Sequence, residues 1–188
     1  PASVEPLYHL SQGTAQLLNS WEAAYFDFNA DTIVRLAESE AQLSIDMVVM
    51  DDGWFCKRED DNSGLGDWQV NEKKLGCSLG ELIQKVNETG VKFGIWIEPE
   101  MVSEDSDLYR AHPDWAMLNP RRNPVRSRNQ LVLDFSRKEV RDYIFEKICD
   151  VLDQGNIEYV KWDMNRSISD VYSADNRQGR VAYDYVLG

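Results

Sequence analysis

The segment from Lys161 to Arg166 reads Lys-Trp-Asp-Met-Asn-Arg and is the strongest candidate for covalent chemistry in the chain. If it ends a β-strand, Lys161, Asp163 and Asn165 share one face, because successive side chains alternate. A positive charge nearby favours the ionised form of a carboxyl group, and an ionised carboxylate beside an anomeric carbon is the nucleophile of a retaining glycosidase. Taken alone, Lys-Trp-Asp favours the plainer alternative, a surface Lys–Asp pair that caps a loop.

A second candidate is the pair Asp51-Asp52, which follows the apolar run at 47–50 and precedes Gly53 and Trp54. Two adjacent carboxylates can accept hydrogen bonds from the hydroxyl groups of a sugar. The indole of Trp54 would then offer a flat apolar surface to the C–H face of the same molecule. An Asx turn assisted by Gly53 explains these residues equally well, so both interpretations stay open.

A third group lies in Trp-Ile-Glu-Pro-Glu, where Trp96, Glu98 and Glu100 alternate and therefore share a face. The two glutamates could form an acid/base pair or a structural brace that binds neighbouring backbone. Pro99 marks the exit from the strand, which favours the brace.

Arginines cluster in a loop further along the chain. Arg126 and Arg128 flank Ser127, and the guanidinium fork of either one could bind a carboxylate or sugar hydroxyls. A solvated loop is the alternative, and it suits Arg121 and Arg122 better.

The sequence predicts no metal site. The acidic stretch at 60–64, Asp-Asp-Asn-Ser-Gly, fails the EF-hand template, because its glycine comes one position early and no Glu stands at the twelfth place. Cys56, Cys77 and Cys149 are far apart and form no C-x-x-C pair. A disulfide framework and a zinc site are both disfavoured, and the predicted location is a reducing cytoplasm.

The charge balance excludes whole classes of partner. The net charge is −13, from 33 acidic and 20 basic residues. A surface this negative repels phosphate groups, which argues against nucleic acid and anionic membranes as partners. No run of about 18 apolar residues occurs, so no transmembrane helix is predicted. A neutral ligand such as a sugar is compatible with this charge.

These candidate residues are set in an alternation of short apolar runs and amphipathic stretches. Strands are predicted at 17–26, 46–50, 91–97, 131–135 and 157–162, and helices at 31–43, 78–90, 136–155 and 181–187. The segments Ser78–Glu81 and Ser136–Glu139 both match the capping box that opens a helix. Strands that alternate with helices predict a parallel sheet in an α/β protein.

The acidic and aromatic residues stand at the carboxyl ends of successive predicted strands, where a (β/α)8 barrel keeps its active site. A doubly wound sheet would place its ligand beside a Gly-rich phosphate loop, and the sequence has none. Four principal strands and a short one make about half of an eight-stranded barrel. We therefore predict the first half of a (β/α)8 TIM barrel over residues 17–188, with about four βα units, and leave residues 1–16 as an unassigned lead-in.

Taken in order, these segments resemble the α-galactosidases of glycoside hydrolase family thirty-six, over roughly residues 17–188. The matching segments are Asn-Ser-Trp-Glu-Ala at 19–23, Asp-Asp-Gly-Trp-Phe at 51–55, Leu-Gly-Asp-Trp at 65–68, Phe-Gly-Ile-Trp-Ile-Glu-Pro-Glu-Met-Val at 93–102, Asp-Ser-Asp-Leu-Tyr-Arg at 105–110, His-Pro-Asp-Trp at 112–115, Arg-Asn-Gln at 128–130, Leu-Asp-Phe at 133–135 and Lys-Trp-Asp-Met-Asn-Arg at 161–166.

The resemblance implies a role for each candidate residue. It makes Asp163 the catalytic nucleophile and assigns Asp51 and Asp52 to galactose hydroxyls. The further substrate-binding positions that it implies are Lys161, Asn165, Arg128 and Trp96, with Trp21 near the site. The implied reaction is retaining hydrolysis of terminal α-galactosides such as melibiose or raffinose, without a cofactor or metal.

The resemblance also implies a missing part. In that family the acid/base aspartate lies on the sixth barrel strand, whereas this sequence reaches Gly188 before a fifth strand. We therefore expect a fragment that lacks its acid/base strand, and we leave open whether it is an enzyme. The alternatives are a catalytically inactive sugar-binding or self-assembling half-barrel, and a galactosyl transferase of the same fold.

Half a barrel would have two open sheet edges, which invite pairing with another chain. Two copies related by a two-fold axis would close an eight-stranded ring. In that ring the second copy's Asp51 and Asp52 would lie where the acid/base belongs. The sequence therefore predicts self-association as a homodimer.

Overall fold

The computed structural model describes residues 15–175 and 178–188. In chain order these residues form β1 (Leu17–Asn19), α1 (Trp21–Ala24), α2 (Ala30–Gln42), β2 (Met47–Met50), α3 (Glu72–Leu75), α4 (Leu79–Glu88), β3 (Lys92–Ile97), β4 (Met101–Val102), α5 (Asp107–Ala111), a 3₁₀ turn (Pro113–Trp115), β5 (Leu131–Val132), α6 (Lys138–Leu152), β6 (Tyr159–Trp162) and α7 (Val181–Leu187). The predicted lead-in at 1–16 lies almost wholly outside the described residues.

The main sheet has four strands in the order β1-β2-β3-β6, and every pair of neighbours is parallel. The predicted α/β class with a parallel sheet is therefore confirmed. β2 is buried along its whole length, and β3 is buried except at Lys92. Because the four strands run in one direction, their carboxyl ends meet at the same edge of the sheet.

Close packing at the centre of the sheet depends on Gly94 in β3. Gly94 pairs with Val49 of β2 on one side and with Tyr159 of β6 on the other. A Cβ atom added at this position would lie 3.1 Å from side-chain atoms of both neighbours, closer than ordinary van der Waals contact. A glycine inside a strand often marks this kind of close approach.

Two amphipathic helices, α2 and α4, pack against β2 and β3. The side chain of Asn29 caps α2 by accepting a hydrogen bond from the Thr32 amide at 3.0 Å. The capping box predicted at the start of α4 is confirmed. There the Ser78 hydroxyl accepts from the Glu81 amide at 3.3 Å, and the Glu81 carboxylate accepts from the Ser78 amide at 2.9 Å.

The second predicted capping box, at Ser136–Glu139, does not form. α6 begins at Lys138, and its N-cap residue Arg137 makes no side-chain capping bond. The Ser136 hydroxyl instead donates a hydrogen bond to the carboxylate of Asp134. This neighbouring acceptor withdraws the serine from the helix terminus, so the prediction was wrong.

The first strand is shorter than its apolar pattern predicts. β1 ends at Asn19, and the following residues form the single helical turn α1. The Asn19 side chain accepts a hydrogen bond from the Trp21 amide at 2.8 Å. A short polar side chain that binds nearby backbone in this way competes with strand pairing. Trp21 therefore follows the strand in a helical turn instead of lying on it.

The strand predicted at 131–135 is reduced to the two residues of β5. It pairs with β4 in an antiparallel hairpin, separate from the parallel sheet. The hairpin, α5 and the 3₁₀ turn all lie between β3 and α6, so β6 is the next strand of the main sheet after β3. The main sheet accordingly contains four strands among the described residues.

The outer strands of the sheet, β1 and β6, carry exposed apolar side chains. Leu17 of β1 is 47% exposed, and Tyr159 and Trp162 of β6 are 38% and 53% exposed. Within residues 15–175 and 178–188, no helix is long and apolar enough to cross a membrane. Cys56, Cys77 and Cys149 are all free thiols.

Candidate active site

A polar cavity of about 170 Å³ lies at the carboxyl edge of the parallel sheet. All eight predicted site residues line it, namely Trp21, Asp51, Asp52, Trp96, Arg128, Lys161, Asp163 and Asn165. They come from the ends of all four strands and from one long loop, and so from positions up to 144 residues apart in sequence. The structure thus brings the predicted set together, and the role of each residue stays a prediction.

Asp163 follows β6 and is held by three hydrogen bonds. Its Oδ2 atom accepts from the Trp96 indole N–H at 2.9 Å and from the Asn165 side-chain amide at 2.8 Å. Among the described residues, its Oδ1 atom accepts only from the Met164 backbone N–H, at 3.0 Å. The Asp163 amide donates to the Ile97 carbonyl at 2.8 Å, so the pairing between β3 and β6 extends to this residue. The carboxylate is therefore fixed in place, and Oδ1 accepts fewer hydrogen bonds than Oδ2.

The surroundings of Asp163 favour its ionised form. Partial burial acts to raise the pKa of this carboxyl, but the hydrogen bonds from Trp96, Asn165 and Met164, together with the positive charge of Lys161, hold the pKa below its usual range. The strand alternation predicted for Lys161, Asp163 and Asn165 is confirmed, because all three line the cavity while Trp162 points away and is 53% exposed.

Asp51 follows β2 and connects three strands through its side chain. Its Oδ2 atom accepts from the Lys161 ammonium at 2.9 Å and from the Asn19 side-chain amide at 2.5 Å. Its Oδ1 atom accepts from the Asp52 amide at 2.9 Å, so part of the local turn geometry is also present. Lys161 thus reaches across the sheet from β6 to β2, and the tripeptide is not an isolated surface pair.

Asp52 is buried and paired with Arg58. The Arg58 guanidinium donates from Nε to Oδ1 at 3.1 Å and from Nη2 to Oδ2 at 2.8 Å, and it is itself 3% exposed. Burial raises the pKa of Asp52, while the hydrogen bond and charge of Arg58 oppose that rise. Sequence reasoning missed Arg58, because it lies in an acidic surface-like stretch and no spacing rule connects it to Asp52.

The interpretation of Trp54 as a surface for a sugar ring is wrong. Trp54 is fully buried, and its indole N–H donates to the Trp96 carbonyl at 2.9 Å. Its ring packs against Phe55 and Trp68 beneath the site. The aromatic residue that lines the cavity from this region is Trp96.

Glu98 and Glu100 act as structural braces, as the position of Pro99 indicates. Glu98 is buried, and its Oε1 atom accepts from the Gln130 side-chain amide at 3.0 Å and from the Asn165 backbone N–H at 2.5 Å. Glu100 accepts from the Trp162 indole at 3.0 Å and also from the Tyr185 hydroxyl. Burial raises the pKa of Glu98, and its hydrogen bonds with Asn165 and Gln130 oppose the rise.

The arginine loop contains three different environments. Arg128 lines the cavity with an exposed side chain. Arg126 instead forms a salt bridge with Glu104 at 2.6 Å, so it is not a cavity residue. Arg122 was predicted to be a solvated loop residue, but it forms a salt bridge with the carboxylate of Asp170. That carboxylate is 4% exposed, and its burial makes a cationic partner necessary.

This arrangement can bind a molecule rich in hydroxyl groups and can attack an electrophilic carbon. Two further carboxylates, Asp51 and Asp52, and two cationic side chains, Lys161 and Arg128, line the cavity together with Asp163. Among the described residues, no group of three or more His, Cys, Asp or Glu side chains is arranged to hold a metal ion. The residues that line the cavity contribute carboxylate, amide, cationic and indole groups.

The fold and the site define an α/β protein with a carboxylate-rich cavity at the carboxyl edge of a parallel sheet. The sequence profile of the Melibiase family matches residues 5–188. The chain therefore belongs to the melibiase family, the α-galactosidases of glycoside hydrolase family thirty-six.

Similar proteins extend this comparison. The bifunctional alpha-galactosidase/sucrose kinase AgaSK of Mediterraneibacter gnavus is 72% identical over 172 residues, which is 92% of this chain and 18% of that protein. An alpha-galactosidase of Lactobacillus acidophilus is 52% identical over 175 residues, again 92% of this chain and 24% of that protein. The chain thus spans about a quarter or less of the length of these relatives.

Solved structures show the same backbone arrangement. The galactosidase domain of AgaSK is 70% identical with a TM-score of 0.88, over 94% of this chain and 24% of that one. A variant of the GH36 alpha-galactosidase AgaA from Geobacillus stearothermophilus, in complex with raffinose, is 51% identical with a TM-score of 0.89, over 94% of this chain and 25% of that one.

Proposed function

We propose that this chain carries the nucleophile and the galactose-binding residues of a retaining α-galactosidase that acts on terminal α-galactosides such as melibiose or raffinose. The observation that carries the proposal is the state of Asp163, a carboxylate whose pKa is lowered and which lies in a cavity lined by hydrogen-bonding groups. Family membership and the raffinose complex of a similar structure support the substrate class.

In the first step, Asp163 Oδ1 attacks the anomeric carbon. Two donors hold Oδ2, whereas Oδ1 accepts from the Met164 amide alone within residues 15–175 and 178–188, which leaves it a lone pair for attack. A bond forms between Oδ1 and the anomeric carbon while the glycosidic C–O bond breaks. The leaving oxygen takes a proton from a carboxylic acid, and water then hydrolyses the glycosyl ester with that same group as base.

We propose that the acid/base belongs to a part of the complete protein outside these 188 residues. In a retaining glycosidase the two carboxyl groups are about 5–5.5 Å apart. The other carboxylates nearest to Asp163 are each engaged, Asp51 with Lys161, Asp52 with Arg58, and Glu98 with Gln130 and Asn165. A carboxylate that is already ion-paired or accepts several hydrogen bonds is a poor proton donor to a leaving group.

The remaining cavity residues are assigned to substrate binding. Asp51 and Asp52 present oxygens to sugar hydroxyls, and Lys161 and Arg128 present donors to sugar oxygens. Trp96 positions the nucleophile through its indole N–H. Trp21 forms an apolar wall of the cavity, with its ring held edge-on by Phe26 at 5.1 Å between centroids.

Ligand binding tests this function without requiring the whole reaction. A variant of a similar enzyme has been solved with 1-deoxygalactonojirimycin, a cationic sugar mimic that should pair with an ionised Asp163. We expect calorimetry to show binding to this chain and a loss of about 10-fold or more in Asp163→Asn, the range for a hydrogen bond to a charged group. The matched control is Asp153→Asn, an exposed residue at the C-terminal end of α6.

The outcomes separate the candidates. Equal affinity of Asp163→Asn and the unmodified chain would refute the assignment of Asp163. Turnover of p-nitrophenyl α-galactoside that Asp163→Asn abolishes would show that the 188 residues are an enzyme by themselves. Binding without turnover would support a sugar-binding segment whose acid/base lies elsewhere.

We also propose that the open sheet edges associate, either with further strands of a complete (β/α)8 barrel or with a second copy as a half-barrel homodimer. The exposed Leu17 on β1 and the exposed Tyr159 and Trp162 on β6 support this proposal. Analytical ultracentrifugation should show a dimer that Trp162→Ser weakens. The control is Leu43→Ser, a residue that is 68% exposed and follows α2. A folded monomer of the unmodified chain would contradict the homodimer.

The proposed location is the cytoplasm, because three free thiols suit a reducing compartment.

A further inference from the structure

We propose that Arg166 is a positioning residue that holds the Arg128 loop, residues 122–130, over the cavity so that Arg128 can bind the ligand. The inference rests on the proposed function, because it gives Arg128 a ligand to bind. Arg166 lies three residues beyond the proposed nucleophile, yet it is not among the residues that line the cavity. Its contacts all serve its own segment and the Arg128 loop.

The tip of the Arg128 loop requires external support. Arg128 and Asn129 have φ angles of 53° and 56°, so two consecutive residues with side chains occupy the left-handed region. That conformation is unfavourable for a residue such as arginine, and it persists when the surroundings impose it. Within residues 15–175 and 178–188, the side chain of Arg128 has no hydrogen-bond or salt-bridge partner of its own.

Arg166 provides that support on both sides of the turn. Its Nη1 atom donates to the Val125 carbonyl at 2.9 Å and to the Gln130 carbonyl at 2.6 Å. Its Nη2 atom donates to the Ser169 hydroxyl at 2.9 Å. One buried guanidinium therefore links the two ends of the segment that carries Arg128.

The shape of the guanidinium group matters more at this position than ion pairing. Arg166 is 7% exposed, its burial lowers its pKa, and it forms no salt bridge within the described part of the chain. A buried cation without a counter-ion is unfavourable. The rigid fork of arginine offsets this because Nη1 donates to both loop carbonyls while Nη2 and Nε donate to Ser169 and Ser167, a set of fixed directions that the single ammonium of lysine does not offer.

Two carboxylates join the same loop to the nucleophile segment. Asp170 is 5% exposed and accepts from the Val125 amide at 3.2 Å. Glu98 accepts from both the Gln130 side chain and the Asn165 amide. The loop and residues 163–170 therefore form one connected unit, in which Arg166 makes the central contacts.

A double-mutant cycle tests the coupling. The affinity for 1-deoxygalactonojirimycin would be measured by calorimetry for the unmodified chain, Arg128→Ala, Arg166→Gln and the double variant. We expect each single change to weaken binding by about 10- to 100-fold. We expect the double variant to be no weaker than Arg128→Ala, because Arg166 acts through Arg128. Losses that multiply in the double variant would overturn the proposal.

The matched control is Arg126→Gln, the same change at an exposed arginine of the same loop. Arg126 forms a salt bridge with Glu104 and does not line the cavity. The Arg126→Gln variant should therefore bind 1-deoxygalactonojirimycin as tightly as the unmodified chain. Arg166→Lys keeps the charge and loses the fork, and we expect it to bind as weakly as Arg166→Gln. Full rescue by lysine would contradict the role of the fork.

Hydrogen exchange without ligand separates positioning from general stability. In Arg166→Gln we expect faster amide exchange within residues 122–130 and unchanged exchange in β2 and β3. Faster exchange throughout the sheet would show a general structural role and overturn the proposal. If Arg166→Gln does not fold, Arg166→Lys takes its place in the cycle with Arg128→Ala, and losses that multiply there would likewise overturn the proposal.

Failure of the two proposals can be distinguished. No binding by the unmodified chain would contradict the proposed function, and with it any ligand role for Arg128. Amide hydrogen exchange without ligand would then still show whether Arg166 holds the Arg128 loop in place. Normal binding by the unmodified chain and by Arg166→Gln, with weak binding by Arg128→Ala, would refute the positioning role alone.

Discussion

Asp163 and Asp52 line the same cavity, but the protein holds their carboxylates in opposite ways. Asp163 is partly exposed, is bound mainly by neutral N–H donors, and has a lowered pKa. Asp52 is buried against the guanidinium of Arg58 and has a raised pKa, because desolvation outweighs the pairing. Both residues follow strands of one sheet, so their environments and not their position in the fold make the difference.

This comparison separates a reactive carboxylate from a binding one. Neutral donors orient Asp163 and stabilise its charge without saturating Oδ1, so an electron pair remains for attack. A bidentate arginine occupies both oxygens of Asp52, which fixes its geometry and leaves it suited to accept weaker bonds from hydroxyl groups. The same side chain thus serves two purposes in one cavity.

The largest expected effect comes from removing the cation of the buried pair. Arg58→Ala would leave Asp52 buried and unpaired, and we expect the free energy of unfolding to fall by about 3–5 kcal/mol. Urea denaturation at neutral pH would measure the loss. The double variant Arg58→Ala/Asp52→Asn should recover part of it, since it removes the unpaired charge as well.

Arg110→Ala is the control for that experiment. Arg110 pairs with Asp105 and Asp107 in an exposed position, so its removal should leave the unfolding midpoint unchanged. A similar loss of stability in Arg58→Ala and Arg110→Ala would contradict the distinction between buried and exposed pairs.

A smaller effect is expected at the hydrogen bond that orients the nucleophile. Trp96→Phe removes the indole N–H that donates to Asp163, so the pKa of Asp163 should rise and the unfolding free energy should fall by about 1–3 kcal/mol. Carbon NMR titration of the Asp163 carboxyl measures the pKa. Trp115→Phe, at a buried tryptophan that does not line the cavity, should leave this pKa unchanged. An unshifted pKa in Trp96→Phe would show that the indole does not stabilise the charge.

The cation beside Asp163 should have a weaker influence. Lys161→Met removes a charge that lowers the pKa of Asp163, but its side chain is 36% exposed and solvent screens it. We expect an upward shift of that pKa, smaller than in Trp96→Phe. Lys92→Met, in the exposed pair with Glu158, is the control and should not affect Asp163.

The smallest expected effect is on the pH dependence of stability, to which Asp163 and Asp52 should contribute with opposite signs. The lowered pKa of Asp163 means that its contribution to stability is present above the unfolded value, about 3.9, and is lost as the pH falls through the folded value. The raised pKa of Asp52 means the reverse. Its contribution is present below about 3.9 and is lost as the pH rises through the folded value.

Unfolding experiments between about pH 3 and pH 6 would show this contrast. The stability difference between the unmodified chain and Asp163→Asn should shrink on acidification, and that between the unmodified chain and Asp52→Asn should grow. Two differences that change in the same direction would contradict the contrast between the two environments.

Much of the fold could be predicted because local patterns and tertiary contacts agree. The helix predicted at 31–43 has a regular apolar face, and it is observed as Ala30–Gln42. The strand at 46–50 is wholly apolar, and it is observed as the buried β2. The predictions failed where a side chain had a better partner nearby, as with Ser136 and Asp134 or with Asn19 and the Trp21 amide.

The site could be predicted as a set of residues but not as a network. Position at strand ends and the resemblance to known segments pointed to all eight residues that line the cavity. Neither source of information pointed to Arg58, and the resemblance included Arg166 only as the last residue of the segment 161–166, without a role; both bind from loops. The same limit explains Trp54, whose tryptophan side chain suits a sugar surface and a buried core equally well until its burial is known.

The sequence alone determined the alternation of strands and helices, the placing of acidic and aromatic residues at strand ends, and membership of a family with a known chemistry. These features depend on short-range periodicity and residue type. Only the tertiary structure decided which carboxylate would have its charge stabilised by neutral donors and which would be buried against a cation. Solvent exposure and partners distant in sequence set the pKa of Asp163 and Asp52, and both arise only when the strands have come together.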